Sequence, residues 1–388
     1  MAASSRLRAT VGSAIEAIRR KRVVSLAPEG GQKGNVLLSY ITKPFTLKPD
    51  DRWWGVHSNM WECKEIATTW LEAGYAVDVI DYRDSNFVPR KKYDVLIDIH
   101  DNLERLAPLV GKDCLKILHA TGSHWRFQNE AEQRRLNALR ERRHVVLQAR
   151  RTVPPSRGPE TADFVTLLGN DATESTFAYA GKPIYKLKVS SPVAYPWDDG
   201  KDFESCGKRF LWLGGSGLVL KGLDIVLEAF AGMPELQLTV CGPTDKERDF
   251  ADAYHKELFE TKNIRTIGWV DQHGDQFRQI LHETGALVYP SASEGQSTSV
   301  VVCLHAGLVP VVSAQSGVDV PGFGRVLTEC SVDEVRREAR AVAGLNPKDF
   351  ETMSRSAWEY ARQNHTRESF SREYRKVVSD ILGRARPS

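Results

Sequence analysis

The sequence predicts an α/β protein made of two parallel-sheet halves facing a central cleft, and three observations lead there. Short apolar runs alternate with helical stretches between residues 35 and 189. That rhythm stops in the proline-containing, polar segment 190–200, and it restarts at residue 210 to continue through residue 312. Strands alternating with helices read as βαβ units, whose right-handed crossovers build parallel sheets. Two such series with an aperiodic joint imply two domains of similar size, and the groove between them is the natural ligand site.

In chain order, the turn Gly30-Gly31-Gln32-Lys33-Gly34 precedes a strand at 35–41, a helix at 59–73 and a strand at 76–81. Further strands fall at 94–100, 115–119, 164–169 and 184–189, short apolar runs of the kind that parallel sheets bury on both faces. In the second half a strand at 210–213 leads into a helix whose Leu223, Val226, Leu227 and Phe230 share one face at the i, i+3, i+4, i+7 spacing. Strands follow at 236–241, 264–267, 286–289 and 309–312. Residues 349–382 read as helical, with Phe370, Tyr374, Val377, Val378 and Ile381 in step on an apolar face suited to packing back across the domain boundary. The domain reading is a basic extension at 1–34, a first domain at 35–198, a second at 199–362 and a C-terminal helix at 363–388.

The chain has 388 residues, 41% hydrophobic and 27% charged, an ordinary globular composition. No apolar run approaches the ~20 residues of a membrane-spanning helix. Lys and Arg number 53 against 50 Asp and Glu, so the overall charge makes no case for nucleic acid. Six cysteines without a Cys-x-x-Cys pair read as reduced, structural thiols. Residues 1–22 lack the continuous apolar core of a secretory signal, which points to a cytoplasmic protein. Arg134, Arg135, Arg140, Arg142, Arg143, Arg150 and Arg151 are interleaved or flanked with Glu130, Glu132 and Glu141, the pattern of a solvated helix. A peripheral contact with acidic lipid at the inner face of the membrane, through this face or residues 6–22, is the competing reading.

Two loops carry chemistry. Leu213-Gly214-Gly215-Ser216-Gly217 follows a strand, and Lys221-Gly222 opens the next helix. Glycines let backbone amides approach a ligand, and a lysine at a helix start adds its charge to the dipole, a combination that suits a diphosphate. The spacing matches neither a P-loop nor a dinucleotide fingerprint, and taken alone the segment reads as a tight turn with a surface lysine. The second loop, Pro290-Ser291-Ala292-Ser293-Glu294-Gly295-Gln296-Ser297-Thr298-Ser299, changes that balance. Parallel topology puts both strand ends on one edge, where ligands of open α/β sheets bind. There Glu294 is suited to hold sugar hydroxyls, while Gln296, Ser297, Thr298 and nearby amides hold phosphate. In the first half, His100 and His119 end strands, and His57 with Asn59 stands at the start of the first helix.

The second half resembles the donor domain of the retaining GT-B glycosyltransferases of the large group-1, family 4-like superfamily. The resemblance rests on 210–230 with Lys221-Gly222, on Gly268-Trp269-Val270, and most of all on Pro290 to Gly295 with Ala306-Gly307-Leu308-Val309-Pro310-Val311-Val312. It implies a GT-B fold of two Rossmann-like domains, acceptor-binding in the first and nucleotide-sugar-binding in the second. It further implies hexosyl transfer to a glycan or lipid-linked glycan with retention of anomeric configuration. By this resemblance Lys221, with Gly215 and Ser216, contacts the donor diphosphate, Glu294 the transferred sugar, and the loop of Gly295, Gln296, Ser297, Thr298 and Ser299 the phosphates. His119 lines the cleft near the reacting sugar, a catalytic position shared with Glu294, and His57 and Asn59 lie on the acceptor side. Attack from the front face, with the departing phosphate oxygen accepting the acceptor's proton, requires no nucleophile with a base partner. The lack of an Asp-x-Asp motif fits a reaction without metal, and no cofactor beyond the nucleotide sugar is expected.

The chain departs from that pattern twice: such enzymes carry an arginine where Ser216 stands and a second glutamate where Val302 stands. Valine cannot accept a hydrogen bond from a ribose diol. These departures motivate two alternatives, a GT-B binding or scaffold protein without turnover and a nucleotide-sugar epimerase of the same fold. Trp269 is assigned to packing, with contact to a nucleotide base as the second choice.

Overall fold

A computed structural model describes residues 23–385, and the basic segment 1–22 lies outside the described residues. The first sheet comprises β1 (Val24–Leu26), β2 (Gly34–Tyr40), β3 (Tyr75–Asp81), β4 (Val95–Asp98), β5 (Leu115–Ala120), β6 (Phe164–Leu168) and β7 (Ile184–Leu187). The second comprises β8 (Arg209–Leu213), β9 (Gln237–Cys241), β10 (Ile264–Gly268), β11 (Ala286–Tyr289), β12 (Val309–Ser313) and β13 (Arg325–Leu327). The strand orders are β1-β3-β2-β4-β5-β6-β7 and β10-β9-β8-β11-β12-β13. Every pairing is parallel except that of β1 with β3. The fold is α/β with two Rossmann-like parallel sheets.

Two strands escape the sequence pattern, β1 and β13. Each is three residues long and lies at a sheet edge, too short to show a period and not covered on both faces. The predicted helical stretch 349–382 is two helices, Pro347–Asn364 and Arg367–Ala385, which meet at a buried His365.

Burial on both faces explains the apolar runs. In the first sheet Val36, Leu38, Val77, Val79, Val95 and Ile97 face one core, and Leu37, Ile80, Leu96, Leu118, Val165 and Leu167 face another. The helix Ser58–Glu72 covers the first of these faces, and the C-terminal helix packs against it. There the Trp70 indole donates to the Tyr374 hydroxyl at 3.2 Å, and both rings are buried. All six cysteines are free and buried. No helix among the described residues is long and apolar enough to cross a membrane.

The topology fixes where chemistry can occur. From β8 the chain winds to β9 and β10 on one side and returns to β11 on the other. The loops after β8 and β11 therefore diverge at a topological switch point, where the crevice of an open α/β sheet opens. In the first sheet the corresponding point lies between β2 and β4.

Candidate active site at the domain cleft

The loops after β8 and β11 join through their charged residues. Lys221 Nζ is ion-paired with Glu294 Oε1, and both side chains are largely buried, at 11% and 16% exposure. The Tyr289 hydroxyl, at the end of β11, donates to the same Glu294 oxygen at 2.7 Å and accepts from Lys221 at 3.1 Å. Burial works against the charge on Glu294, but Lys221 and the Tyr289 hydroxyl outweigh it and hold the carboxyl below its ordinary range. For Lys221, burial alone would lower the pKa, and Glu294 with Tyr289 raises it instead. Both groups are charged at neutral pH. Tyr289 was missed in the sequence because the last residue of a buried strand reads as core.

The first domain closes directly onto this loop. Ser123 Oγ donates to the Glu294 carbonyl at 2.7 Å, and Thr173 Oγ1 donates to the Gly295 carbonyl at 3.1 Å. A Cβ on Gly295 would lie 2.4 Å from the Thr121 carbonyl oxygen and 2.8 Å from that of Leu168, so glycine is what permits this approach. Asn170 Nδ2 reaches the Ala314 carbonyl and Asp319, each at 3.1 Å.

His119, the penultimate residue of β5, is 1% exposed and leads into the 121–123 loop that touches Glu294. Its Nδ1 bonds Thr166 Oγ1 at 2.8 Å, while its Nε2 is buried without a partner. Burial pushes its pKa down to about 4, so the ring is neutral at pH 7 and free to bond a hydroxyl through Nε2. His57 caps the helix Ser58–Glu72, its Nδ1 accepting from the Asn59 amide at 3.2 Å. Loss of water around the ring and, less so, the positive charge of Lys221 lower its pKa, opposed by the Asn59 side chain. Asn59 Oδ1 and Ser293 Oγ are also buried and unpaired. Unpaired buried polar atoms are uncommon, and three of them border this cleft.

The remaining sites divide. Thr298 and Ser299 open the helix Thr298–His305, and Ser297 stands at its N-cap with its amide bonded to the Ser316 carbonyl at 2.9 Å. Gln296 points to the joint between the domains, where its Oε1 accepts from the Val189 amide at 2.6 Å. Ser216 donates to Glu247 Oε1 at 3.0 Å, and the same carboxylate accepts from the amides of Gly217, at 2.6 Å, and Leu218, at 3.2 Å. The glycine loop is thus partly capped by an internal anion, with Gly215 left open. Nothing in the local sequence marks Glu247 for this role, because it comes from the loop after β9. Val302 is fully buried in the core and offers nothing to a ribose.

Two assignments are corrected. Trp269 is 68% exposed and does not pack, because β10 ends at Gly268 and the chain turns outward. The arginine-rich helix Trp125–Arg143 is not simply a solvated face. Arg142 binds Asp224 at 2.7 Å and Glu228 at 3.0 Å, Arg143 binds Glu257 at 2.6 Å, and Arg150 binds Asp249 at 2.6 Å, all in the second domain. Arg135 donates to the Pro290 carbonyl at 2.6 Å. Arg134 keeps the expected arrangement, facing Glu130 one turn away at 3.9 Å. Among the described residues no three His, Cys, Asp or Glu side chains cluster as a metal site.

Residues 207–343 match the family model described as "Glycosyl transferases group 1". No curated protein matches the chain in sequence. Among solved structures, sucrose-phosphate synthase from Thermosynechococcus elongatus is similar at a TM-score of 0.62 and 12% identity, covering 90% of this chain and 99% of that one. HepE from Anabaena, solved with UDP and glucose, is similar at 0.55 and 13% identity, with 90% and 100% covered. TarM from S. aureus, solved with fondaparinux, α-GlcNAc-glycerol and UDP, is similar at 0.51 and 11%, covering 72% of this chain. The present chain spans 54% of TarM. These likenesses show a GT-B fold, and residues 207–343 of its second half match the group 1 glycosyltransferase model.

Proposed function

We propose that the protein transfers a hexosyl group from a nucleotide-activated sugar to a glycan or lipid-linked glycan, with retention of configuration and without metal. The observation that carries this reading is the Lys221–Glu294 pair, which joins two loops at the switch point inside a closed cleft. Lys221 supplies charge to the diphosphate, and amides at the start of the helix Thr298–His305 add to it. Glu294, held ionised, accepts hydrogen bonds from the sugar. His119 offers a neutral Nε2 to a sugar hydroxyl, and His57 and Asn59 face the acceptor. The protein's part is to position the two substrates and stabilise charge that develops on the leaving diphosphate.

Calorimetry with UDP-, GDP-, ADP- and dTDP-sugars tests the donor pocket. One donor class is expected to bind, and Lys221→Ala to weaken it roughly tenfold to a hundredfold, the range for a charge-assisted hydrogen bond. Glu294→Ala should weaken the sugar nucleotide more than the bare nucleoside diphosphate. A folded protein that binds none of the panel would end this reading.

Capture of Ser216 by Glu247 and burial of Val302 favour a second reading, a GT-B binding or scaffold protein without turnover. Donor binding without release of nucleoside diphosphate across an acceptor screen would favour it; turnover would eliminate it.

A further inference from the structure

The donor pocket as described is short of positive charge. Lys221 is neutralised by Glu294, and Glu247 occupies the amides of Gly217 and Leu218 and the hydroxyl of Ser216. A diphosphate carries about two or more negative charges at neutral pH, and one already-paired lysine beside an internal carboxylate is a poor match.

A cation stands at this edge, supplied by the other domain. The Arg151 side chain crosses the cleft to lie on Gly217: a Cβ on that glycine would sit 2.4 Å from Arg151 Cγ and 3.0 Å from its Cδ. Gly217 also has a φ of +89°, so the position is closed to other residues on two counts. The charge of Arg151 reaches Glu294 and helps to keep it ionised.

The backbone of Arg151 is fixed from behind. Its amide donates to both oxygens of the buried Glu132, each at 3.0 Å, and its carbonyl accepts from Gln128 at 2.5 Å. Its neighbour Arg150 is tied to Asp249 of the second domain. In contrast, the Arg151 guanidinium has no hydrogen bond or ion pair among the described residues, and the residue is exposed. A pinned backbone with an uncommitted planar donor set is what bidentate phosphate binding requires.

We propose that Arg151, carried on the first domain, binds the donor diphosphate across the closed cleft and so links donor binding to closure. This rests on the donor-pocket reading above. The pocket is then complete only when the two domains meet. Arg151 does from the first domain what a cationic side chain on the 214–217 loop would otherwise do.

The test uses the full chain and its Arg151→Gln, Arg151→Lys and Lys221→Ala variants. UDP, GDP and ADP binding is measured by calorimetry, and binding of the matching nucleosides by ligand-observed NMR. Arg151→Gln is expected to weaken the diphosphate roughly tenfold to a hundredfold and leave the nucleoside unchanged, with Arg151→Lys recovering part of the loss. Equal loss of nucleoside and diphosphate would assign Arg151 a structural role and overturn the proposal. So would unchanged diphosphate binding in Arg151→Gln while Lys221→Ala binds poorly. Failure of the wild-type protein to bind any diphosphate overturns the donor pocket itself, and the role of Arg151 with it.

Discussion

Glu62 is fully buried on the helix Ser58–Glu72, where its Oε1 accepts from the amide and hydroxyl of Ser190 at 2.8 and 3.0 Å and its Oε2 has no partner. Burial, only partly offset by the Ser190 and Ser58 hydrogen bonds and by Arg367, pushes its carboxyl up to about 7 from an ordinary 4.5. The folded state therefore binds this proton more tightly than the unfolded state, so the associated stability is full below pH 4.5 and is lost as pH rises through 7. Glu62→Gln should remove this slope, worth on the order of 2–3 kcal/mol, in urea titrations between pH 4.5 and 8. A wild-type-minus-variant difference that is flat with pH would refute the assignment. At this scale Lys221, Glu294 and His119 were legible because each ends or follows a strand in a polar loop. Arg151 and Glu247 were not, because their partners lie 66 and 30 residues away in the chain (Gly217 in both cases).

The helix Trp125–Arg143 shows how an element can mislead. Its alternating charges satisfy the pattern of a solvated helix, yet the partners of Arg142 and Arg143 are carboxylates of the second domain. Asp224 is fully buried with one oxygen already unpaired. Removing Arg142 leaves that buried charge without its hydrogen-bonded partner and with only the more distant help of Arg135, so Arg142→Ala should cost about 3 kcal/mol, whereas Arg134→Ala, on an exposed pair, should cost under about 0.5 kcal/mol. Chemical denaturation of both variants separates the two readings, and equal effects would restore the solvated face. The loop after β11 makes a second prediction. A methyl at Gly295 meets two backbone carbonyls of the first domain, neither of which is a flexible side chain. Gly295→Ala should hold the domains apart and raise the radius of gyration in X-ray scattering, with the fold of each domain intact by circular dichroism. An unchanged scattering profile would show that the domains accommodate the methyl without opening.

Across the whole molecule, the chain returns to where it began. The helix Arg367–Ala385 follows the second domain but packs on the first, through the Trp70–Tyr374 hydrogen bond, the edge of Trp61 against Phe370 at 5.8 Å, and Arg367 donating to the Trp54 carbonyl at 3.0 Å. The joint between domains is tied to this crossing, with the Ser191 amide on the His365 carbonyl and His365 Nδ1 on the Val189 carbonyl, both at 3.0 Å. Tyr374→Phe deletes the acceptor of a buried indole N–H and should cost about 1–3 kcal/mol, read by thermal or urea denaturation; a loss no larger than that of an exposed substitution would show that the bond is not what fastens the helix.

The sequence by itself determined the two parallel sheets, the aperiodic joint and the two loops that meet at Lys221 and Glu294. Those features are written in local periodicity, in strand-end position and in the residue types that special backbone geometry demands. Tertiary structure alone decided that Ser216 and Gln296 are spent on Glu247 and Val189, that the arginine helix is an interface, and that Arg151 lies against Gly217 from the opposite domain. The physical reason is that a side chain's charge and hydrogen-bonding groups are legible in one dimension, but the groups that satisfy them are chosen by proximity in three.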